Sequence, residues 1–140
     1  MTLAFLGHDM NPPPVHRVAR VTGCLGETEG GFLHNGSYWQ ESDTLRVTFR
    51  PEFLVLQGLD AVQEARVLRH EEQHRVDFVE LAERLERGLR TALRQRRDPE
   101  IDHRWEWFLY DIANRANQFH RSSGQGETIN VAEPHFPRPV

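Results

Sequence analysis

A single change of hydrophobic period, at Asp60, constrains this chain more than any other feature. Up to residue 57 the apolar residues come in short pieces, punctuated by Gly23, Gly26, Gly30, Gly31 and Gly36 and preceded by a rigid extended stretch from Asn11 to Pro14. Leu45, Val47 and Phe49 alternate with Arg46 and Thr48, the period of two that marks a half-buried strand. Pro51 ends or edges that strand, and Phe53 to Leu56 forms a second apolar run. From Asp60 the period becomes helical: Ala65, Leu68, Val76, Val79, Leu81, Leu85, Leu89 and Leu93 recur as far as Arg97. Asp60 and Gln63 form a capping box, with Gly58 placed for the turn before it. A helix of about 36 residues reaching Arg97 would be roughly 54 Å long, so the sequence predicts a bend or break near Gly88.

Asp98 and Pro99 stop this helix and start another, Asp98 as N-cap and Pro99 at the first helical position. The second helix spans 99–121 and turns Ile101, Trp105, Phe108, Leu109, Ile112, Ala116 and Phe119 to one face. Gly124 and Gly126 end it. Thr128 to Ala132 could form a short strand, and Pro134, Pro137 and Pro139 mark a loose tail. The 140 residues thus read as one α+β domain: a β and loop part over 1–57, two helices, and a turn and tail over 122–140.

Charge and composition exclude several functions. The net charge of −4 leaves no global basic field, and Arg90, Arg94, Arg96 and Arg97 are flanked by Glu83, Glu86, Asp98 and Glu100. That pattern reads as a solvated helix face rather than a nucleic-acid surface. Cys24 is the only cysteine, which rules out an intrachain disulfide and a Cys-rich zinc knuckle, and it reads as an inert buried thiol. Met1 to Met10 is too short and polar for a signal peptide, and no apolar run has membrane-spanning length. The expectation is a chain without a membrane partner, cytoplasmic unless an export signal has been removed. All 17 basic residues are arginine, so Schiff-base chemistry and a P-loop lysine are absent, while 8 histidines favour metal or acid–base chemistry.

The first helix carries His70-Glu71-Glu72-Gln73-His74, an H-E-x-x-H pattern expected by chance at roughly 0.04 per chain of this composition. Histidines at i and i+4 share a helix face and can point at one ion, supplying half of a tetrahedral zinc shell. Glu71, about 100° further round, sits where a carboxylate can take a proton from a water activated by that ion and pass it to a leaving amine. Glu72 reads as solvated surface. Asp77 shares the face of His70 and His74 and either fixes a histidine tautomer or pairs with Arg84 or Arg69.

A third protein ligand has to come from elsewhere. Asp77 and Glu80 stand where the compact metzincin extension needs a glycine and a further ligand. The candidates on the second helix are Asp102, His103, Glu106, Asp111 and His120. Glu106 and Asp111 lie at the edge of its buried face, His103 points away from it, and His120 stands beside the glycine-rich turn. Trp107 is a candidate substrate contact, and Tyr110 or Arg115 a candidate oxyanion partner. His8, His16, His34 and His135 lack a spacing partner and default to surface or core-edge roles.

The stretch Arg69 to Arg75, followed by Glu80-Leu81-Ala82 and an Arg/Leu-rich continuation, resembles a bacterial family of secreted zinc-dependent proteases, a domain of unknown function. That family places a similar H-E-x-x-H helix after a strand ending at proline, as Val47 to Pro51 does here. Its downstream aromatic-Asp-x-x-Thr-x-His-Gly element is matched by Phe119 to Gly126, with His120 in place of the aspartate and Gln125 in place of the histidine. The resemblance covers roughly residues 44 to 127 and implies a zincin-like fold, a bound Zn2+ and His120 as the third ligand. The expected function is a zinc metallopeptidase in which His70, His74 and His120 hold the ion, Glu71 is the base, and a strand over Thr44 to Phe49 lies at the cleft edge to bind a peptide substrate. The alternative is a non-proteolytic binding module with a structural zinc or iron site.

Overall fold

The alternation along residues 44–56 builds the centre of the β part. The computed structural model describes residues 1–23, 26–97, 100–123 and 137–139. Its strands are β1 (Thr2–Leu6), β2 (Val15–Val18), β3 (Val21–Gly23), β4 (Gly26–Thr28), β5 (Gly30–Leu33), β6 (Ser37–Glu41), β7 (Thr44–Thr48) and β8 (Glu52–Leu56), followed by helices α1 (Ala61–Arg94) and α2 (Glu100–Ser123). β7 lies between β1, which runs parallel to it, and β6, which runs antiparallel. β8 lies in the same way between parallel β2 and antiparallel β5, and β3 and β4 form a hairpin. Backbone bonds bridge the break between the sheets: Phe49 N–H to Leu6 O, Arg50 N–H to His34 O and Phe53 N–H to Pro14 O, at 2.8–2.9 Å. The proline therefore interrupts one central run rather than separating two unrelated sheets.

Leu45, Val47 and Phe49 all turn inward, as their alternation predicts, and Phe53 and Val55 continue that face in β8. Leu45, Val47 and Phe49 pack on α1 and α2 through a core with Phe5, Phe78, Leu81, Leu85, Leu89 and Phe108, and Val55 packs with Val67 of α1 in a second cluster. Phe49 is the hub of the first, with ring contacts at 5.1–5.9 Å to Phe5, Phe78, Trp105 and Phe108.

The expectation of an edge strand at Thr44 to Phe49 is corrected, because β7 is paired on both sides. The predicted break at Gly88 is also corrected. α1 continues through it to Arg94, about 51 Å of helix at the usual rise. Gly88 instead makes room for α2: a Cβ there would lie 2.6 Å from Nη1 of Arg104. The capping box is present, with Gln63 N–H donating to Asp60 Oδ1 at 2.8 Å and Asp60 N–H donating to Gln63 Oε1 at 3.1 Å. Two residues assigned to the apolar stripe, Ala65 and Val76, are exposed, whereas Val67, His70 and Glu71 are buried. Asp98, Pro99, Gly124, Gly126, the strand considered over Thr128 to Ala132, Cys24 and His135 lie outside the described residues. No helix among the described residues is long and apolar enough to cross a membrane.

Candidate metal centre

The helical rise places His70 and His74 one turn apart on α1, facing the last turn of α2. There His120 meets them. Nε2 of His74 lies 3.1 Å from Nε2 of His70 and 3.0 Å from Nε2 of His120, and the three ligand atoms all fall within 4.8 Å of one another. Phe119 packs against both α1 rings, with centroids at 4.8 and 5.2 Å, and the His120 ring stacks on His70 at 5.2 Å. An apolar floor and a neighbouring imidazole thus fix the direction of each ring.

These residues fit a divalent transition metal. The edge of a tetrahedron around an ion with nitrogen ligands at 2.0–2.1 Å is about 3.3–3.4 Å, close to the two separations seen. Burial first, and then the neighbouring imidazoles, hold His70 down at about 4 and His74 at about 3, so both are neutral at pH 7, the form a metal takes. Nδ1 of His70 is buried without a hydrogen-bond partner among the described residues. Three protein ligands is the number found at zinc sites that keep one position open, and an all-imidazole set suits zinc, iron, copper or nickel.

Glu71 is 4% exposed, and its Oε2 is buried with no hydrogen bond among the described residues. Burial pushes its carboxyl up to about 8. β5 comes this close to Glu71 because residue 30 is glycine: a Cβ there would lie 2.3 Å from Val67 Cγ1, 3.2 Å from Leu54 O and 3.5 Å from Glu71 Cγ. The result is a cavity of about 300 Å³ bounded by Gly30, Phe32 and His34 on one side and by His70, Glu71, His74, Phe78 and His120 on the other. That is the lower end of the usual range for ligand pockets.

The other candidate ligands lie elsewhere. Asp102 is exposed and accepts a hydrogen bond from the Tyr38 hydroxyl. His103 is exposed and accepts from Trp107 Nε1–H at 3.0 Å. Glu106 is exposed, and Asp111 borders a separate groove between the helices with Leu81, Arg84 and Trp107. Among the described residues, His70, His74 and His120 form the one cluster able to hold a metal. Asp77 borders the cavity, but its carboxylate accepts from Gln73 at 3.2 Å and faces Arg115 at 3.5 Å rather than an imidazole. Arg115 is held by Asp77 and by Glu80 at 3.2 Å, and neither it nor Tyr110 borders the cavity. Trp107 lies in the other groove, with the Arg138 guanidinium 5.8 Å over its ring. Glu72 pairs with Arg75 at 2.6 Å, and His16 lies 3.4 Å from Glu52.

Sequence reasoning passed over β5 and His34. Gly30-Gly31-Phe32-Leu33 has no alternation to mark it as a strand, and His34 is 36 positions from His70 with no motif to link them. No family model matches the chain, and no match is found among curated proteins or solved structures.

Proposed function

We propose that this chain is a zinc-dependent metallopeptidase of zincin-like type. The observation that carries the reading is the convergence of three imidazoles beside the buried carboxyl group of Glu71, one oxygen of which has no hydrogen-bond partner among the described residues, at the wall of a cavity. His70, His74 and His120 would hold the ion. Bound there, zinc supplies Lewis acidity, which acidifies water and polarises a carbonyl. The raised carboxyl of Glu71 reflects burial alone, and a cation held by the three histidines beside it would favour the ionised form. In that form Glu71 accepts a proton from the attacking water, whose oxygen joins the carbonyl carbon, and returns that proton to the amine nitrogen as the C–N bond breaks. Among the described residues β5 is the end strand of its sheet, and we assign its outer edge, in place of the β7 edge expected from sequence, as the place where an extended peptide would add.

The test uses the zinc-loaded chain and a mixed peptide library, with products read by mass spectrometry. Wild type should cleave, and Glu71→Gln should keep its zinc while losing at least about a hundredfold in rate, the lower range for a general base. Cleavage by the Gln variant overturns the mechanism, and no cleavage by wild type overturns the function. A second reading follows from His120 being on α2 while its partners are on α1: an ion there would staple the helices in a binding module. That reading predicts unfolding on chelation with no cleavage by the loaded chain, and elemental analysis separates zinc from iron.

A further inference from the structure

His34 borders the cavity, yet the hydrolytic scheme gives it no task. The fold holds it firmly. Its carbonyl accepts the Arg50 N–H at 2.8 Å, where the central strand run is interrupted. Its ring lies flat on Phe78 at 5.4 Å and 7°, with Phe49 and Phe108 at 6.0 Å presenting their rings at steep angles. Phe78 is one helical turn beyond His74, so the contact sets His34 beside the histidine cluster along α1. The Gly36 N–H donates to Nδ1 of His34 at 3.3 Å. A neutral imidazole has one donor and one acceptor nitrogen, so an occupied acceptor at Nδ1 puts the proton on Nε2. No described residue accepts a hydrogen bond from that Nε2. Burial among rings holds the group neutral, with a single proton to offer.

We propose that His34 is the cavity's hydrogen-bond donor to its ligand, its Nε2–H donating to the carbonyl oxygen of a bound acyl group. The proposal rests on the metallopeptidase reading for the nature of that acyl group, a peptide. It assigns His34 the role expected in sequence of Tyr110 or Arg115, neither of which borders the cavity. A neutral donor suits it: it strengthens as charge grows on the oxygen and adds no cation beside the metal ligands.

The probe is acetohydroxamate, a small carbonyl ligand for zinc, titrated into the zinc-loaded full chain. His34→Phe should weaken its binding about tenfold, the worth of one hydrogen bond. His34→Gln, which keeps an N–H near the Nε2 position, should recover most of the loss. Nitrogen-15 spectra of wild type should show the Nε2–H tautomer, with that proton shifting when the hydroxamate binds. Equal affinity in wild type and a folded, zinc-bearing Phe variant overturns the proposal, as does an Nδ1–H tautomer. Should the Phe variant not fold, the Gln variant and the wild-type spectra decide. Hydroxamate binding through His34 without peptide cleavage overturns the peptidase reading alone, zinc binding without hydroxamate binding overturns the donor role, and a chain that takes no zinc overturns both.

Discussion

Neutral histidine is a costly residue to bury only when the solution is acidic, and His34 makes that cost measurable. Its pKa is lowered to about 4 by burial, against 6.5 for the free side chain. The groups facing it are the rings of Phe49, Phe78 and Phe108 and the Gly36 N–H, none of which favours an added proton. Between those two pH values the unfolded chain binds a proton that the folded chain does not. Stability from this group is therefore complete above about pH 6.5 and is lost as pH falls towards 4. At pH 5 the loss is about 2 kcal/mol. Urea titrations of wild type and His34→Gln at pH 7 and pH 5 isolate it, because the other histidines are common to both chains. Wild type should lose about 2 kcal/mol more than the variant on acidification. Parallel losses would show that His34 protonates freely in the folded protein.

Elements were legible in the sequence wherever a local period or a cap defined them. β7 follows from alternation at Leu45, Val47 and Phe49, and the start of α1 follows from Asp60 and Gln63. The phase of α1 was harder to read for a reason tied to the site. His70 and Glu71 occupy buried positions that an apolar stripe would otherwise fill, so the apolar period shifts onto Ala65 and Val76, which face solvent. The H-E-x-x-H pair was legible because both residues lie within one turn. The placement of His120 against them depends on how α2 packs on α1, which no spacing within either helix encodes. β5 was invisible because its strand character comes from pairing with β8, about 20 residues away. Its glycine nevertheless has a specific burden. Val67, 1% exposed, and the Leu54 carbonyl leave no room for a Cβ at residue 30. Gly30→Ala should destabilise by about 1–3 kcal/mol through overpacking, read as a lower urea midpoint with an unchanged slope. An unchanged midpoint would mean that β5 packs less tightly on α1 than these contacts indicate.

Across the molecule, the two long helices are held by different means at different points. Phe108 joins the aromatic core around Phe49, Arg104 lies against Gly88, Arg115 reaches Asp77 and Glu80, and the last turn of α2 meets α1 through His120. That last contact is an imidazole-to-imidazole hydrogen bond at 3.0 Å, in which the tautomers decide which ring donates. An ion bound there would link the helices and act only on the folded state, since the unfolded chain separates His120 from His74 by 46 residues. Free zinc at a hundredfold excess over its dissociation constant should then stabilise the fold by about 2.7 kcal/mol. For a chain of this size that is a rise of roughly 5–15 °C in melting temperature. His120→Ala leaves an i, i+4 pair on one helix. Its zinc affinity should fall by more than the 10–100-fold typical of losing only a ligand's supporting partner, and the zinc-dependent rise should vanish at the same zinc concentration. Calorimetry on both chains, with and without zinc, checks this directly. A rise that survives in the variant would place the ion on α1 alone and remove His120 from the metal centre.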